Sequence, residues 1–489
     1  MSWNKKSPLA PGPKGGAGPS EGGYLAIQGK VIAVPLAGEY VDASPYRLKG
    51  YNGRFGLYRE EEYIVPAEPV SRAKFYDYKT ESGVPYWKIA LLHGTDCVAT
   101  SVIQTCLWWN TDKRCSFCGI EISLNQGITV AVKQPEELAE VAEKAKELDG
   151  ASHVVLTTGA SKAPQSEIST LSKCTRAIKR RTGLPIHAQC LPPKDLGALE
   201  ELREAGVDTI GLHIESFDPQ VLSSMAPLKA AIGWNRYEKA WRRAVKIFGV
   251  NQVSSFLIVG IGESEMSVVE GSEYLADLGV FPFVVPLRPI PGSFMEDISP
   301  PSPERMISLY QEIAKVLKTK GLKSKDSKAG CVRCGACSGL SVYEEHSDIV
   351  CYPCRTDEET SIALELRQEV FVREQGMFEG SDVDENDERS TLLIAKKGEE
   401  VVGTVRVYPV GTGGSWVGGR LAVKKEYRHT GAGRILVEEA VRYAKARGCR
   451  RFTALIQEKN VLFLNVWAGG PLKGLKSTLG DFTKLWRRI

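Results

Sequence analysis

No run of about eighteen apolar residues occurs anywhere in the 489-residue chain, so no segment has the length to cross a bilayer as a helix. Charge of one sign is missing as well. The 63 basic residues face 59 acidic ones, and a net charge of +4 is too even to announce a nucleic-acid-binding protein. The one local basic run, Lys179-Arg180-Arg181, ends a helix-patterned stretch and reads as a solvated outer face. A secretory signal pattern is lacking, and with it the oxidising setting in which twelve cysteines would pair as disulfides. The expectation is a cytoplasmic chain of two to three domains, with thiols that are free or bound to metal.

What the chain does have is cysteine in groups. Cys106, Cys115 and Cys118 follow an apolar, strand-like run, and three thiolates hold three irons of a [4Fe-4S] cluster while leaving the fourth iron open. Phe117, just before the last of them, offers a ring for a flat ligand to pack against. A structural zinc knuckle is the alternative for the three cysteines taken alone.

Beyond them, short apolar runs alternate with amphipathic helical stretches, the pattern of parallel β/α units. The runs are Cys97 to Thr105, His153 to Gly159, Pro185 to Cys190, Thr209 to Ser216, Gln252 to Gly260 and Phe281 to Pro289. Helix patterns between them start at Pro135, Leu196 and Tyr237 and stop at Gly150, Gly206 and Gly249. The predicted fold is α/β, a partial six-unit barrel, whose functional groups gather at the C-terminal ends of its strands. The candidates there are Thr157-Thr158-Gly159, Gln189, Glu215, the small residues Gly260 and Gly262, and Arg288. A carboxylate such as Glu215 forms charge-assisted hydrogen bonds to a ligand or an ion pair with a rim arginine. Glycines let a backbone approach a ligand closely. Arg288 is suited to a substrate carboxylate or to a structural ion pair.

The cysteine triad, the Thr-Thr-Gly turn, His213-Ile214-Glu215-Ser216 and Gly260-Ile261-Gly262-Glu263 together resemble the radical SAM enzymes near biotin and lipoyl synthases. The stretch from about residue 86 to 340 resembles more closely the radical SAM protein encoded beside bacterial nitrilases. Two departures stand out: the usual Cys-x3-Cys gap is eight residues long here, and the glutamate of the usual Gly-Gly-Glu turn is absent. The resemblance implies a [4Fe-4S] cluster that binds S-adenosylmethionine (SAM) and an electron donor such as flavodoxin or ferredoxin. It also implies a 5′-deoxyadenosyl radical acting on a small-molecule substrate. Phe117, Thr157, Thr158, Gly159, Gln189, Glu215, Gly260, Gly262 and Arg288 are the residues it nominates around SAM and substrate.

Cys331-x2-Cys334-x2-Cys337, followed by Cys351 and Cys354, puts five thiols in twenty-four positions, a strong metal signal. An auxiliary [4Fe-4S] cluster is favoured over a structural zinc, with His346 as an additional donor. Cys97, Cys174, Cys190 and Cys449 remain as core thiols, Cys190 also lying near the barrel mouth.

Past Cys354 the pattern changes. A helix over Ile362 to Phe371, an acidic loop through Asp382, Asp384, Glu385 and Asp387, and strands at Thr391 to Lys396 and Val401 to Tyr408 lead to Leu421-Ala422-Val423. Then comes Arg428-x2-Gly431-x-Gly433-Arg434 at the head of a helix, where successive backbone N–H groups cradle phosphates. This arrangement resembles the pyrophosphate loop of GNAT acyltransferases, an α+β fold. It implies acetyl-CoA bound at Leu421, Val423, Arg428, Gly431, Gly433 and Arg434, with Asn460 where the family often meets CoA. A CoA-free GNAT scaffold is the alternative. Residues 464–489 lack the usual closing turn and last strand of that family. One allowed encoding of Leu464 to Pro471, read two bases on, gives Glu-Arg-Leu-Gly-Trp-Arg-Pro, so a frameshift before Leu464 is expected and the domain would be incomplete.

The resulting division is a disordered tail over 1–23, a cap over 24–87, the barrel over 88–325, a cysteine-rich segment over 326–356 and the acyltransferase-like domain over 357–489. Two other functions fit parts of the pattern. One is an Elongator-like tRNA modifier, against which stands the lack of a concentrated basic surface. The other is a catalytically silent iron-sulfur or zinc scaffold.

Overall fold

The computed structural model describes residues 22–36, 39–51, 54–161, 164–346, 349–411, 413–457, 473–479 and 482–488. Asn460 and the turn expected to be missing after residue 464 lie outside them, as does nearly all of the 1–23 tail. The chain forms two compact units, 1–344 and 345–489.

In the first unit, seven strands form one curled sheet: β1 (Leu91–His93), β2 (Cys97–Ile103), β3 (His153–Thr158), β4 (Ile186–Gln189), β5 (Thr209–Gly211), β6 (Val253–Val259) and β7 (Val280–Pro286). They lie in the order β7-β6-β5-β4-β3-β2-β1, parallel except for the β1–β2 hairpin. With β1 and β7 at its free edges, the sheet is a half-barrel. All seven residues of β2 are buried, as the continuous apolar run of a strand covered on both faces demands. The covering helices include α1 (Pro135–Asp149), α2 (Pro164–Thr182), α3 (Gly197–Ala205), α4 (Trp234–Phe248), α5 (Glu265–Asp277) and α6 (Pro303–Lys320). On α4 the buried positions Tyr237, Ala240, Trp241, Ala244 and Phe248 recur every three or four residues, one face of a helix. Fully buried Leu138, Leu156 and Leu171 each contribute ~1.5–3 kcal/mol by leaving water. The left-handed caps at Gly150 (φ 69°) and Gly206 (φ 107°) end α1 and α3 where the sequence places glycine stops.

The fifth strand is shorter than its apolar run. Ladder pairing stops at Gly211, and the chain rejoins the sheet only at Glu215, opposite Leu257. Before the barrel, two small antiparallel sheets are built from Gly23–Ile27, Lys30–Val34 and Glu68–Pro69, and from Tyr46–Tyr51, Arg54–Arg59 and Glu62–Pro66. After α6 the chain crosses the entry ends of the strands. Lys323 meets Asn251, Lys328 meets Gln252, Ala329 meets Thr209 and Gly330 meets His153, before Ser338 donates to Val284 O at 2.6 Å.

In the second unit, β8 (Ile349–Pro353), β9 (Thr391–Lys397), β10 (Glu400–Val410), β11 (Ser415–Val423), β12 (Arg451–Gln457), β13 (Lys473–Leu479) and β14 (Phe482–Arg488) form a sheet in the order β8-β9-β10-β11-β12-β14-β13. Helices α7 (Asp357–Gln368) and α8 (Ala432–Lys445) accompany it, and Leu436, Ala440 and Ala444 pack with Leu393, Val402, Val405 and Val407 in its core. The acidic loop is structural: Arg367, fully buried, pairs with Asp382 and Asp387, and Arg406 pairs with Asp384 and Asp387. The expectation of no last strand is corrected here. β14 pairs antiparallel with β12 from Arg451↔Arg488 to Gln457↔Phe482, and β13 completes a hairpin with it. Thr, Leu, Phe and Trp in these segments favour strand.

Candidate functional site

β2 hands its C-terminal end directly to the first cysteine group. Cys106 N–H donates to Glu121 Oε1 at 2.7 Å, and Leu107 N–H donates to Ala160 O at 2.7 Å. The eight-residue gap is folded rather than slack. The Arg114 guanidinium lies 3.4 Å from the Trp109 ring centre and 4.4 Å from that of Phe294, and donates to Cys118 O at 3.2 Å and Gly292 O at 3.1 Å. Stacking of this kind adds ~0.5–2 kcal/mol and holds the loop in one shape. All three thiols are half-buried. Burial pushes the Cys115 thiol up to about 12 and the Cys118 thiol up to about 11. Both therefore keep their protons at neutral pH unless a metal displaces them.

Glu215 stands beside this group. Its φ of 76° is left-handed, a conformation that costs a non-glycine residue ~1–3 kcal/mol. Two backbone bonds hold it there, from its own N–H to Phe256 O at 3.0 Å and from Ile258 N–H to its carbonyl at 2.9 Å. Oε1 accepts from Lys229 Nζ, which also donates to His213 O at 2.7 Å. Oε2 is buried and has no partner. Burial draws the Lys229 pKa down, but Glu215, Tyr237 and Cys115 together hold it well above its ordinary value. Lys229 therefore stays charged, and Glu215 keeps one carboxylate oxygen free for a ligand's hydroxyl or ammonium. An orphaned buried acceptor costs ~1–3 kcal/mol, which such a ligand recovers.

The neighbouring strand ends shape the space. A Cβ on Gly159 would lie 2.0 Å from Thr105 O, so the turn after β3 and the residue before Cys106 touch backbone to backbone. Thr157 and Thr158, half-buried, end β3 just before it. Gly260 (φ 104°) and Gly262 (φ 112°) form a left-handed turn after β6. Gly260 N–H and Ile261 N–H donate to Glu263, which Arg305 pairs at 2.7 Å. Phe117 packs in an apolar cluster with Val221, Ile258, Ile261 and Leu287, a surface suited to a flat heterocycle. The chemistry of this donor set fits a [4Fe-4S] cluster with SAM: three cysteines, an unpaired buried carboxylate oxygen, glycine turns and an apolar wall around an aromatic ring.

Gln189 and Arg288 turn elsewhere. Gln189 Nε2 lies 3.5 Å from Cys331 Sγ, and Arg288 donates to Ala33 O at 3.0 Å while its charge acts on Cys337. Cys331, Cys334 and Cys337 belong to the first unit, Cys351 and Cys354 to the second. Cys351 sits on β8 opposite Ala395 and packs beside the second unit's core, and Cys354 packs with Tyr352 against the Leu366 and Phe371 cluster. The His346 side chain lies outside the described residues. Among the described residues, no three His, Cys, Asp or Glu side chains close on one point as the ligands of a single metal ion do. Sequence reasoning missed Lys229, Arg114 and His93. Nothing in the pattern around Lys229 marks it, because its role comes from a helix turn that folds back over the end of β5.

In the second unit, Gly431 (φ 77°) caps the start of α8, and Gly433 is buried in its first turn. Arg428 donates to Val423 O at 3.0 Å and to Glu374 Oε1 at 2.6 Å, and Arg434 pairs with Glu438. β11 and β12 pair in parallel only from Ser415↔Arg451 to Gly418↔Ala454, although β11 continues to Val423 and β12 to Gln457. Past that point the strands part. The α8 N-terminus follows Gly431, and its dipole favours a phosphate.

Residues 112–275, which include Cys115, Cys118 and Glu215, match the model of the radical SAM superfamily, and residues 357–465 match that of the acetyltransferase (GNAT) family. The bacteriochlorophyllide c C-7(1)-hydroxylase of Chlorobaculum limnaeum is 25% identical over 255 residues, which are 48% of this chain and 63% of that protein. The chain thus spans less than two thirds of this curated relative. Among solved structures, Escherichia coli ElaA (18% identity, 29% of this chain and 99% of its own, TM-score 0.26) and an acyl-CoA N-acyltransferase from Pseudomonas aeruginosa (22%, 29% and 99%, TM-score 0.24) are similar to it.

Proposed function

In a chain that joins a radical SAM domain to a GNAT acetyltransferase domain, we propose that the first unit cleaves SAM reductively and abstracts hydrogen from a small metabolite, and that the second acylates an amine of the same pathway. Cys106, Cys115 and Cys118 would hold the cluster. When bound, the cluster and SAM supply a reducing electron and a 5′-deoxyadenosyl radical. The chain's own contribution is position and dryness. Glu215 Oε2 would take a ribose hydroxyl or the amino group, Lys229 holds Glu215 in place, the glycine turn at 260–262 would admit the adenine edge, and Phe117 with Ile258 and Ile261 would wall off water. Replacement of a C–H bond, as the name of the Chlorobaculum relative describes for its own substrate, is chemistry that begins with such an abstraction. A metabolite handled beside a nitrilase is the substrate class we favour.

In the second unit, the backbone at Gly431 and Gly433 would take the pyrophosphate of acetyl-CoA and Arg428 and Arg434 its charge. The parted ends of β11 and β12 would take the pantetheine arm.

The observation that carries the first part of this reading is the unpaired Glu215 carboxylate oxygen beside Cys115. The test is 5′-deoxyadenosine release from SAM by the anaerobically reconstituted, reduced protein, run beside Cys115→Ala. Release by the parent protein alone supports the reading. Equal release from both, or binding of zinc in place of iron, overturns it. Binding of bulk tRNA that persists at high salt would favour the Elongator-like alternative.

A further inference from the structure

Cys97 begins β2, fully buried, and reads as a core thiol. Its surroundings differ from those of Cys174, the buried thiol on α2. Cys97 is the cross-strand partner of His93 in the β1–β2 hairpin, so the two side chains leave the same face. That face meets the cysteine-rich segment. His93 Nδ1 lies 3.3 Å from Cys334 Sγ, and His93 Nε2 lies 3.4 Å from Cys337 Sγ. Cys334 Sγ is also 3.1 Å from the position a Cβ would take on Gly94, so this sulfur rests directly on the turn that leads to Cys97. The third thiol, Cys331, is approached by Gln189 Nε2 at 3.5 Å. Every one of these residues lies in the first unit.

We propose that Cys97, Cys331, Cys334 and Cys337 hold a second [4Fe-4S] cluster, with His93 and Gln189 as hydrogen-bond donors to its thiolates. Four cysteines are the usual complement of such a cluster. Each iron takes one thiolate, so the sulfurs stand farther apart than around one zinc, whose sulfur ligands lie about 2.3 Å from the ion. The thiols here share the neighbours His93, Gly94 and Gln189. Loading is a ligand exchange with a preformed cluster carried by small thiolates: each cysteine sulfur bonds one iron as the thiolate that held that iron leaves and takes up the cysteine's proton, with no change in oxidation state. N–H···S bonds from His93 and Gln189 raise the reduction potential by stabilising the more negative, reduced form. Cys351 and Cys354 are not needed by this set.

The test uses the full chain carrying Cys106→Ala, Cys115→Ala and Cys118→Ala, which cannot hold the first cluster, and it contains no SAM. Failure of the radical reading therefore leaves it unaffected. After anaerobic reconstitution, about four irons and four sulfides per chain are expected, with the spectrum of one [4Fe-4S] centre on reduction. Adding Cys97→Ser should convert the centre to a [3Fe-4S] form or lose its iron, while Cys351→Ser with Cys354→Ser should leave iron and spectrum unchanged. Retention of an unaltered four-iron centre in Cys97→Ser, loss of iron on removing Cys351 and Cys354, or zinc without iron would each overturn the proposal. A readout that leaves Cys97 in place guards against misfolding. In protein labelled with nitrogen-15 histidine, the reduced centre should show only weak nitrogen coupling; a directly bound nitrogen would put His93 on the iron and refute the assignment of Cys97.

Discussion

Replacing Lys229 by methionine keeps the length of the side chain and removes its charge. The structure allows the consequence to be sized. The Lys229 and Glu215 side chains are 12% and 8% exposed, and Glu215 Oε2 already lacks a partner, so the substitution leaves a buried carboxylate with neither oxygen paired. Breaking one side of such a pair costs ~3–5 kcal/mol, chiefly because the remaining charge is uncompensated. Glu215→Gln should cost less, since Lys229 keeps its bond to His213 O and the amide is neutral. The double variant Lys229→Met with Glu215→Gln should recover much of the loss, so that the two changes couple by more than ~1 kcal/mol. Denaturant unfolding of the first unit measures the stabilities, and equilibrium dialysis of SAM against the reconstituted protein measures the ligand side. Glu215→Gln should weaken SAM by roughly 10- to 100-fold, the loss of a charge-assisted bond worth ~1.5–3 kcal/mol. A Lys229→Met protein within ~1 kcal/mol of the parent, with strictly additive effects in the double variant, would refute the reasoning, because exposed pairs behave that way.

Gly159→Ala places a methyl 2.0 Å from Thr105 O, so the residue before Cys106 must move; a cost of ~1–3 kcal/mol and a loss of bound iron are expected, read by chemical denaturation and iron assay. Burial lowers the His187 pKa to about 3, and its Nε2 has no partner, so the folded protein keeps it neutral while the unfolded chain protonates near 6.5. Stability should therefore fall as pH drops from about 6.5 towards the folded value, and His187→Gln should flatten that part of a urea-midpoint profile; an unchanged slope would contradict it. Gly431→Val forces a β-branched residue to φ 77° at the head of α8, and calorimetric titration should show acetyl-CoA affinity lost while iron content is untouched.

The half-barrel was legible because its strands are buried on both faces and its helices carry one apolar stripe, so both periods survive in the sequence. Strand ends were less so. The run Thr209 to Ser216 is uniformly strand-like, yet its ladder stops at Gly211, and the departure gives Glu215 its left-handed backbone. The closing hairpin was missed for a different reason. Gly480-Asp481 between two strand-prone segments is a local hairpin signal, and Leu479 pairs with Phe482 across it.

The cysteines mark the limit of reading by spacing. Sequence distance groups Cys351 with Cys337 and leaves Cys97 alone, because spacing sees only what is near along the chain. The fold reverses this: Cys351 joins an antiparallel ladder in the second unit, whereas Cys97, more than two hundred positions before Cys331, shares its surroundings through the hairpin partner His93. A buried cysteine at the first residue of a barrel strand reads as a hydrophobe until the segment covering that strand end is known. The half-barrel leaves that end to be covered, and the chain after α6 does so with three further thiols.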